Sequence, residues 1–184
     1  AQRLMSTGNM YGVQIQGVAG EMTAHYDPRN KTLFLSNGVA NSVSVAALAI
    51  AAHELGHAMQ DAEEYFPLKF RSALVPIVNI GSNLGWFLIM IGLFLRFTEL
   101  AWLGVLIFAG GAGFSLATLP VEFNASSRAK QLLAQTGIIQ TDEEMRGVNS
   151  VLNAAALTYV AGLVTAILQL LYYVTLVGGG RRRG

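Results

Sequence analysis

SALVPIVNIGSNLGWFLIMIGLFL, residues Ser72 to Leu95, carries no charged side chain and is bounded by Arg71 and Arg96. A helix needs roughly 20 predominantly apolar residues to cross the hydrocarbon core of a bilayer, and this stretch has that length. Leu100 to Leu119 is a second such stretch, separated from the first by RFTE, a linker that permits only a tight hairpin between antiparallel helices. A third, Ala154 to Val177, ends in GGG followed by Arg181, Arg182 and Arg183. The whole chain agrees with this reading, since 53% of its 184 residues are hydrophobic and 12% are charged, about half the charged share of a soluble domain. The expectation is a mainly α integral membrane protein with three visible transmembrane helices.

Charge and cysteine content narrow the function. Twelve Lys and Arg against 11 Asp and Glu leave a formal net charge of +1, so no overall field recommends nucleic acid as a partner. The absence of cysteine excludes disulfides and thiolate metal sites. Any metal would sit on nitrogen and oxygen. AQRLM opens the chain without a signal-peptide pattern, as if the numbering began inside a longer chain.

Ahead of the first span, MYGVQIQGVAG and KTLFLSNG read as two short strands, and HYDPRN between them supplies turn chemistry through Asp27, Pro28 and Asn30. Ser42 or Ser44 is placed to cap a helix running through VAALAIAAHELGHAMQDAEEY. Beyond the second span, Pro120 fits the first turn of a new helix and Gly137 its stop. Thr141 with Glu144 makes a capping box, which starts a helix at Asp142 that can run into the third span. The small residues of AGGAGFS point to close helix packing, and Asn79 and Asn83 are expected to face protein rather than lipid. The expected organisation is 1–71 as a metal-helix part with a small β element, 72–119 as a transmembrane hairpin, and 120–153 as a further helical part. Residues 154–177 form the third span and 178–184 a basic tail.

HELGH, His53 to His57, lies within the first helix. Residues i and i+4 share a helix face, so both imidazoles can aim at one point, with Glu54 beside that face. Neutral imidazole is a good zinc ligand, and a carboxylate beside the metal but not bound to it can take a proton from the metal's water. Glu54 is therefore the candidate general base, and one Zn2+ per chain the candidate cofactor. A catalytic zinc needs a third protein ligand. Position 60 is Gln60 and not the glycine that would turn the chain back, so the helix is expected to carry Glu63 and Glu64 away. Asp61 lies two turns from His53. His25 and Asp27 are possible from the preceding turn. A hairpin that crosses and returns brings the chain back to the side it left, which favours Glu122. Donors for an oxyanion are sought among His25, Tyr26, Arg128 and Tyr159. TLFLSNGV either presents a free strand edge to an extended peptide or is fully paired within its own sheet.

HELGHA, followed far downstream by LPVEFNASSRA, with HYDPRNKTLFLSNGV ahead and NAAALTYVAGLV behind, resembles the YugP-type membrane zinc metallopeptidases. More distantly it is similar to HtpX-type membrane proteases and prenyl-protein proteases of the gluzincin kind. The resemblance implies a zincin-like metal helix, His53, His57 and Glu122 as zinc ligands, and Glu54 as general base. It also implies a fourth membrane helix upstream of Ala1. Where the HtpX-like pattern has an Asp four residues after the ligand Glu, this chain has Ser126; Asn124 or Ser126 would substitute by hydrogen bonding.

The first functional expectation is a multi-pass zinc endopeptidase of the bacterial plasma membrane, acting on membrane-associated or unfolded protein, its site facing the cytoplasm as in HtpX-like proteases. A second is a catalytically inactive zinc-binding scaffold, against which an intact Glu54 argues. A third, a transporter lined by Asn79, Asn83 and Gln169, leaves HELGH unexplained.

Overall fold

The computed structural model describes residues 1–21 and 23–180; of the expected basic tail, residues 178–180 belong to the last helix and 181–184 lie outside the described residues. So does the expected helix ahead of Ala1. In chain order the elements are α1 (Gln2–Thr7), β1 (Gln14–Val18), β2 (His25–Asp27), β3 (Thr32–Ser36), α2 (Asn37–Ala40), α3 (Val45–Ala62), α4 (Phe66–Phe94), α5 (Thr98–Thr136) and α6 (Asp142–Gly180). The molecule is mainly α with one small sheet, and α4, α5 and α6 are each long and apolar enough to cross a membrane. It divides into two compact units, one from residues 1–68 and 120–157, the other from residues 69–119 and 158–180.

The first unit is built on a sheet of order β1-β3-β2. β3 pairs in parallel with β1, Leu33 opposite Ile15, and antiparallel with β2, Leu33 opposite Tyr26. One expectation is corrected here and one open alternative is decided. HYD is a strand and not part of the turn; the turn proper begins after it, where the Arg29 amide donates to Asp27 Oδ1 and Lys31 takes a positive φ of 51°. Three residues are too few to show alternation. TLFLSNGV, in turn, contains the central strand, and of its two expected alternatives the paired one holds over Thr32–Phe34, where β1 and β2 flank it on both sides.

Leu33 and Leu35 leave one face of the sheet and join a core with Ala49, Ala52 and Leu55 of α3 and Ala129, Leu132 and Leu133 of α5. Each fully buried Leu there contributes roughly 1.5–3 kcal/mol. Ser44 caps α3 by accepting from the Ala47 amide at 3.2 Å. The helix stops at Ala62, earlier than expected. Glu64 adopts φ 55° while the amides of Glu64 and Tyr65 donate to the carbonyls of Asp61 and Gln60, a Schellman ending that closes the last turn without glycine. Glu63 is thus turned back toward the unit instead of being carried off. Thr141 and Glu144 exchange the two hydrogen bonds of a capping box at the start of α6.

Pro120 does not start a helix, because α5 is continuous from Thr98 to Thr136. Proline's fixed φ is helical and its main cost is one lost hydrogen bond to the carbonyl four residues back, which well-packed flanks can hold. Val121 and Ala125, just beyond, are fully buried. Gly137, at φ 61°, ends α5 as expected, and Arg3 donates to the Thr136 carbonyl.

The second unit packs Ile89, Ala101, Val105, Tyr173 and Val177 together. Its helix backbones come close at Gly85, Gly92 and Gly104: a Cβ on the first would lie 2.8 Å from the Phe108 nitrogen, on the second 2.5 Å from that of Ala101, and on the third 2.6 Å from that of Ile89. AGGAGFS makes one close contact, at Gly111, where a Cβ would lie 3.2 Å from Ser82 Oγ, but Gly110 and Gly113 face nothing within 4 Å. Nor do Asn79 and Asn83 face inward. Both are exposed, and Asn83 Nδ2 donates to the Asn79 carbonyl at 3.0 Å, because the face of α4 that packs is the glycine face.

Candidate metal centre

α3 supplies His53, Glu54 and His57, and α5 supplies Glu122, all within the first unit. What lets α5 come so close is Gly56. A Cβ at that position would collide with the Ala125 carbonyl, so the two backbones touch in the turn between the histidines, opposite the turn that bears Glu122. His53 Nε2 lies 3.2 Å and His57 Nε2 3.6 Å from Glu122 Oε2. The rings stand nearly perpendicular at 86°, and one donor atom from each of the three residues falls within 4.8 Å of the others. Glu122 is 1% exposed. Burying a carboxylate costs several kcal/mol unless charge or hydrogen bonds compensate, and the two facing imidazoles are arranged to share a cation with it. Two nitrogens and one carboxylate oxygen are the donors that zinc accepts in an open site, so the residues fit the metal.

The far side of each ring is also engaged. His53 Nδ1 lies 3.2 Å from Ser126 Oγ, and His57 Nδ1 2.9 Å from Gln60 Oε1. These bonds turn both Nε2 atoms inward. Glu54 is mostly buried, and its Oε2 accepts from the Tyr26 amide at 3.1 Å. Burial raises its pKa above the ordinary carboxylate value, against the pull of His57 and His53. For His57, burial favours the neutral ring, but the hydrogen bond and charge of Glu122 outweigh it and the pKa is raised.

A family model described as "Putative neutral zinc metallopeptidase" matches residues 1–178. The chain belongs to this family. Among curated proteins it is similar to "Putative membrane protease YugP" of Bacillus subtilis (strain 168), with 42% identity over 181 residues that cover 98% of this chain and 80% of that protein. No solved structure matches.

Around this metallopeptidase cluster the remaining candidates separate. Ser126 and Asn124 both lie behind the ring nitrogens, Ser126 on His53 directly and Asn124 through Gln60 Nε2 at 2.9 Å. Arg128 donates through Nε to Asn124 at 2.7 Å and through both terminal nitrogens to Glu63. His25 is exposed, stacks on Phe34, and has its Nδ1 on the Thr23 carbonyl. Strand alternation puts it on the face of the sheet opposite Tyr26 and Leu33, away from Glu54. Tyr159 lies on α6 in the second unit. Asp61 accepts from the Tyr26 hydroxyl at 2.8 Å, which with burial holds the phenol proton and raises its pKa. Tyr26 therefore ties Glu54 by its backbone and Asp61 by its side chain, and beside it a cavity of about 330 Å3 opens between Met10, Val13, Met59 and Asp61.

Gln60 was not singled out as a functional residue in the sequence. Its signal was available, because a polar amide three residues after His57 on an Ala-rich helix falls near the histidine face, toward α5. The residue is fully buried, which no local pattern reveals.

Proposed function

We propose that this chain is a membrane-embedded zinc-dependent endopeptidase, with His53, His57 and Glu122 as the metal ligands and Glu54 as the general base. The observation that carries the reading is the convergence of those three buried donors from α3 and α5, with Glu54 one residue from His53 and held by the Tyr26 amide. Bound zinc would act there as a Lewis acid, lowering the pKa of water toward ~7 and polarising a peptide carbonyl. Glu54 takes the proton of the attacking water and returns it to the nitrogen of the departing amine, so that one peptide and one water become a carboxylate and an amine. A buried carboxylate suits the first half of that task, since its raised proton affinity makes it a better base. The Tyr26 amide keeps one Glu54 oxygen in place. Ser126 and Gln60 keep the two imidazoles turned inward.

The substrates we propose are membrane-associated or unfolded proteins. The three apolar helices and the similarity to a protein named as a membrane protease support a multi-pass bacterial plasma-membrane location. The alternative, a catalytically inactive zinc scaffold, needs only three ligands, and a buried Glu54 fixed by a backbone amide supports the hydrolase instead.

The test is cleavage of casein by the zinc-loaded chain beside Glu54→Gln, with zinc measured on both. The variant is expected to keep its zinc and to lose at least ~100-fold in rate, the usual scale of a lost general base. Zinc on both proteins with cleavage by neither would turn the reading toward the scaffold.

A further inference from the structure

The polar contacts behind His57 form a chain whose direction is set at its far end. Arg128 has donors and no acceptor. Its Nε donates to Asn124 Oδ1 at 2.7 Å while its terminal nitrogens are taken by Glu63 at 2.6 and 2.7 Å. Asn124 must therefore present its oxygen, and that same oxygen accepts from Gln60 Nε2 at 2.9 Å. Gln60 Nε2 also donates to the Val121 carbonyl, a pure acceptor, at 2.8 Å. Two acceptors fix the amide, which leaves Gln60 Oε1 facing His57 Nδ1 at 2.9 Å. A carbonyl oxygen cannot donate. Nδ1 must carry the hydrogen, and a neutral His57 ring then has its lone pair on Nε2, the atom that faces Glu122.

Resting on the zinc-site reading above, we infer that Gln60 is a positioning residue for the metal centre: with Asn124 and Arg128 behind it, Gln60 holds His57 in the tautomer that offers Nε2 as a ligand. His53 has no equivalent. Its Nδ1 meets the Ser126 hydroxyl, which donates or accepts equally well and so imposes no tautomer. The two histidines of HELGH are thus held by different devices, one directional and one permissive. Gln60 is fully buried and touches no reacting atom, so it acts through its neighbours, of which His57 is the one it meets directly at a ring nitrogen.

The experiment uses the full chain in detergent, labelled with 15N at its three histidines. Long-range 1H–15N spectra of the zinc-loaded protein identify which ring nitrogen binds metal and which bears hydrogen, and chelator competition gives the zinc affinity. The expected result is metal on His57 Nε2 with a slowly exchanging hydrogen on Nδ1. Gln60→Leu should lower zinc affinity by about 10- to 100-fold and expose that hydrogen to exchange, while Ser126→Ala should cost less. A wild-type spectrum with His57 ligating through Nδ1 would overturn the role without any variant having to fold. Wild-type affinity in a folded Gln60→Leu would overturn it as well. Wild-type protein that takes up no zinc would instead sink the zinc-site reading, and the positioning role with it.

Discussion

At the scale of single residues, Glu63 shows how position outweighs charge. It sits just past the end of α3, its side chain 58% exposed, yet it makes a two-pronged contact with Arg128, whose side chain is 16% exposed. Hydrogen bonding to that guanidinium holds the Glu63 carboxyl below the usual Glu range. A lowered folded value means that the pair stabilises the protein above the ordinary carboxylate pKa of about 4.3. That contribution is lost as pH falls through the folded value. Chelated wild type should therefore melt above chelated Glu63→Gln at pH 7, by on the order of 1–3 °C for so exposed a pair, and the two should converge as pH drops below 4. Melting curves followed by circular dichroism in detergent would check this, and a gap that does not change with pH would mean that charge is not what the pair contributes.

At the scale of elements, the His53, His57 and Glu122 cluster depends on how closely α3 approaches α5. Gly56 sets that distance, because its missing Cβ is the space the Ala125 carbonyl fills. Ala125 is itself fully buried, so neither backbone can step aside without moving Val121 and Ala129, which pack on either side. Gly56→Ala would improve intrinsic helix propensity by about 1 kcal/mol, and the clash should reverse that gain. We expect a net loss of about 1–3 kcal/mol, the usual range for overpacking, together with weaker zinc binding, as Glu122 is levered away from the histidines. Urea or thermal melts with zinc competition on the same samples would test it, and a variant more stable than wild type would show that the approach is not rigid. The second unit uses the same device at Gly85 and Gly104.

At the scale of the whole molecule, the chain leaves the first unit at Leu68 and re-enters it at Pro120. If α4 and the first part of α5 both cross the bilayer, the two pieces of that unit share one side. The proposed orientation is cytoplasmic. The absence of cysteine makes it directly measurable. Val43 is 99% exposed on the site-bearing unit, so Val43→Cys in intact bacterial cells should resist a membrane-impermeant maleimide and react after the membrane is opened. Labelling in intact cells would place the centre outside.

Much of this could be read from the chain alone, for a definite reason. The three apolar stretches, the HELGH helix with its Ser44 cap, and the Thr141–Glu144 capping box are each written within one helix, where periodicity and length carry the information. The same logic misplaced a helix start at Pro120 and a turn at HYD, because a proline is judged locally as a beginning and three residues show no period. Only the tertiary structure decided that β3 is central and that α3 ends at Ala62 so Glu63 can meet Arg128. It also decided that Gln60 is buried behind His57. The meeting of His53 with Glu122, 69 residues away along the chain, is of the same kind: the return of a hairpin favours it, but the distance is set by Gly56 against Ala125. Helical pattern reports which face a residue occupies, whereas the partner across that face is chosen by packing between backbones that the pattern does not encode.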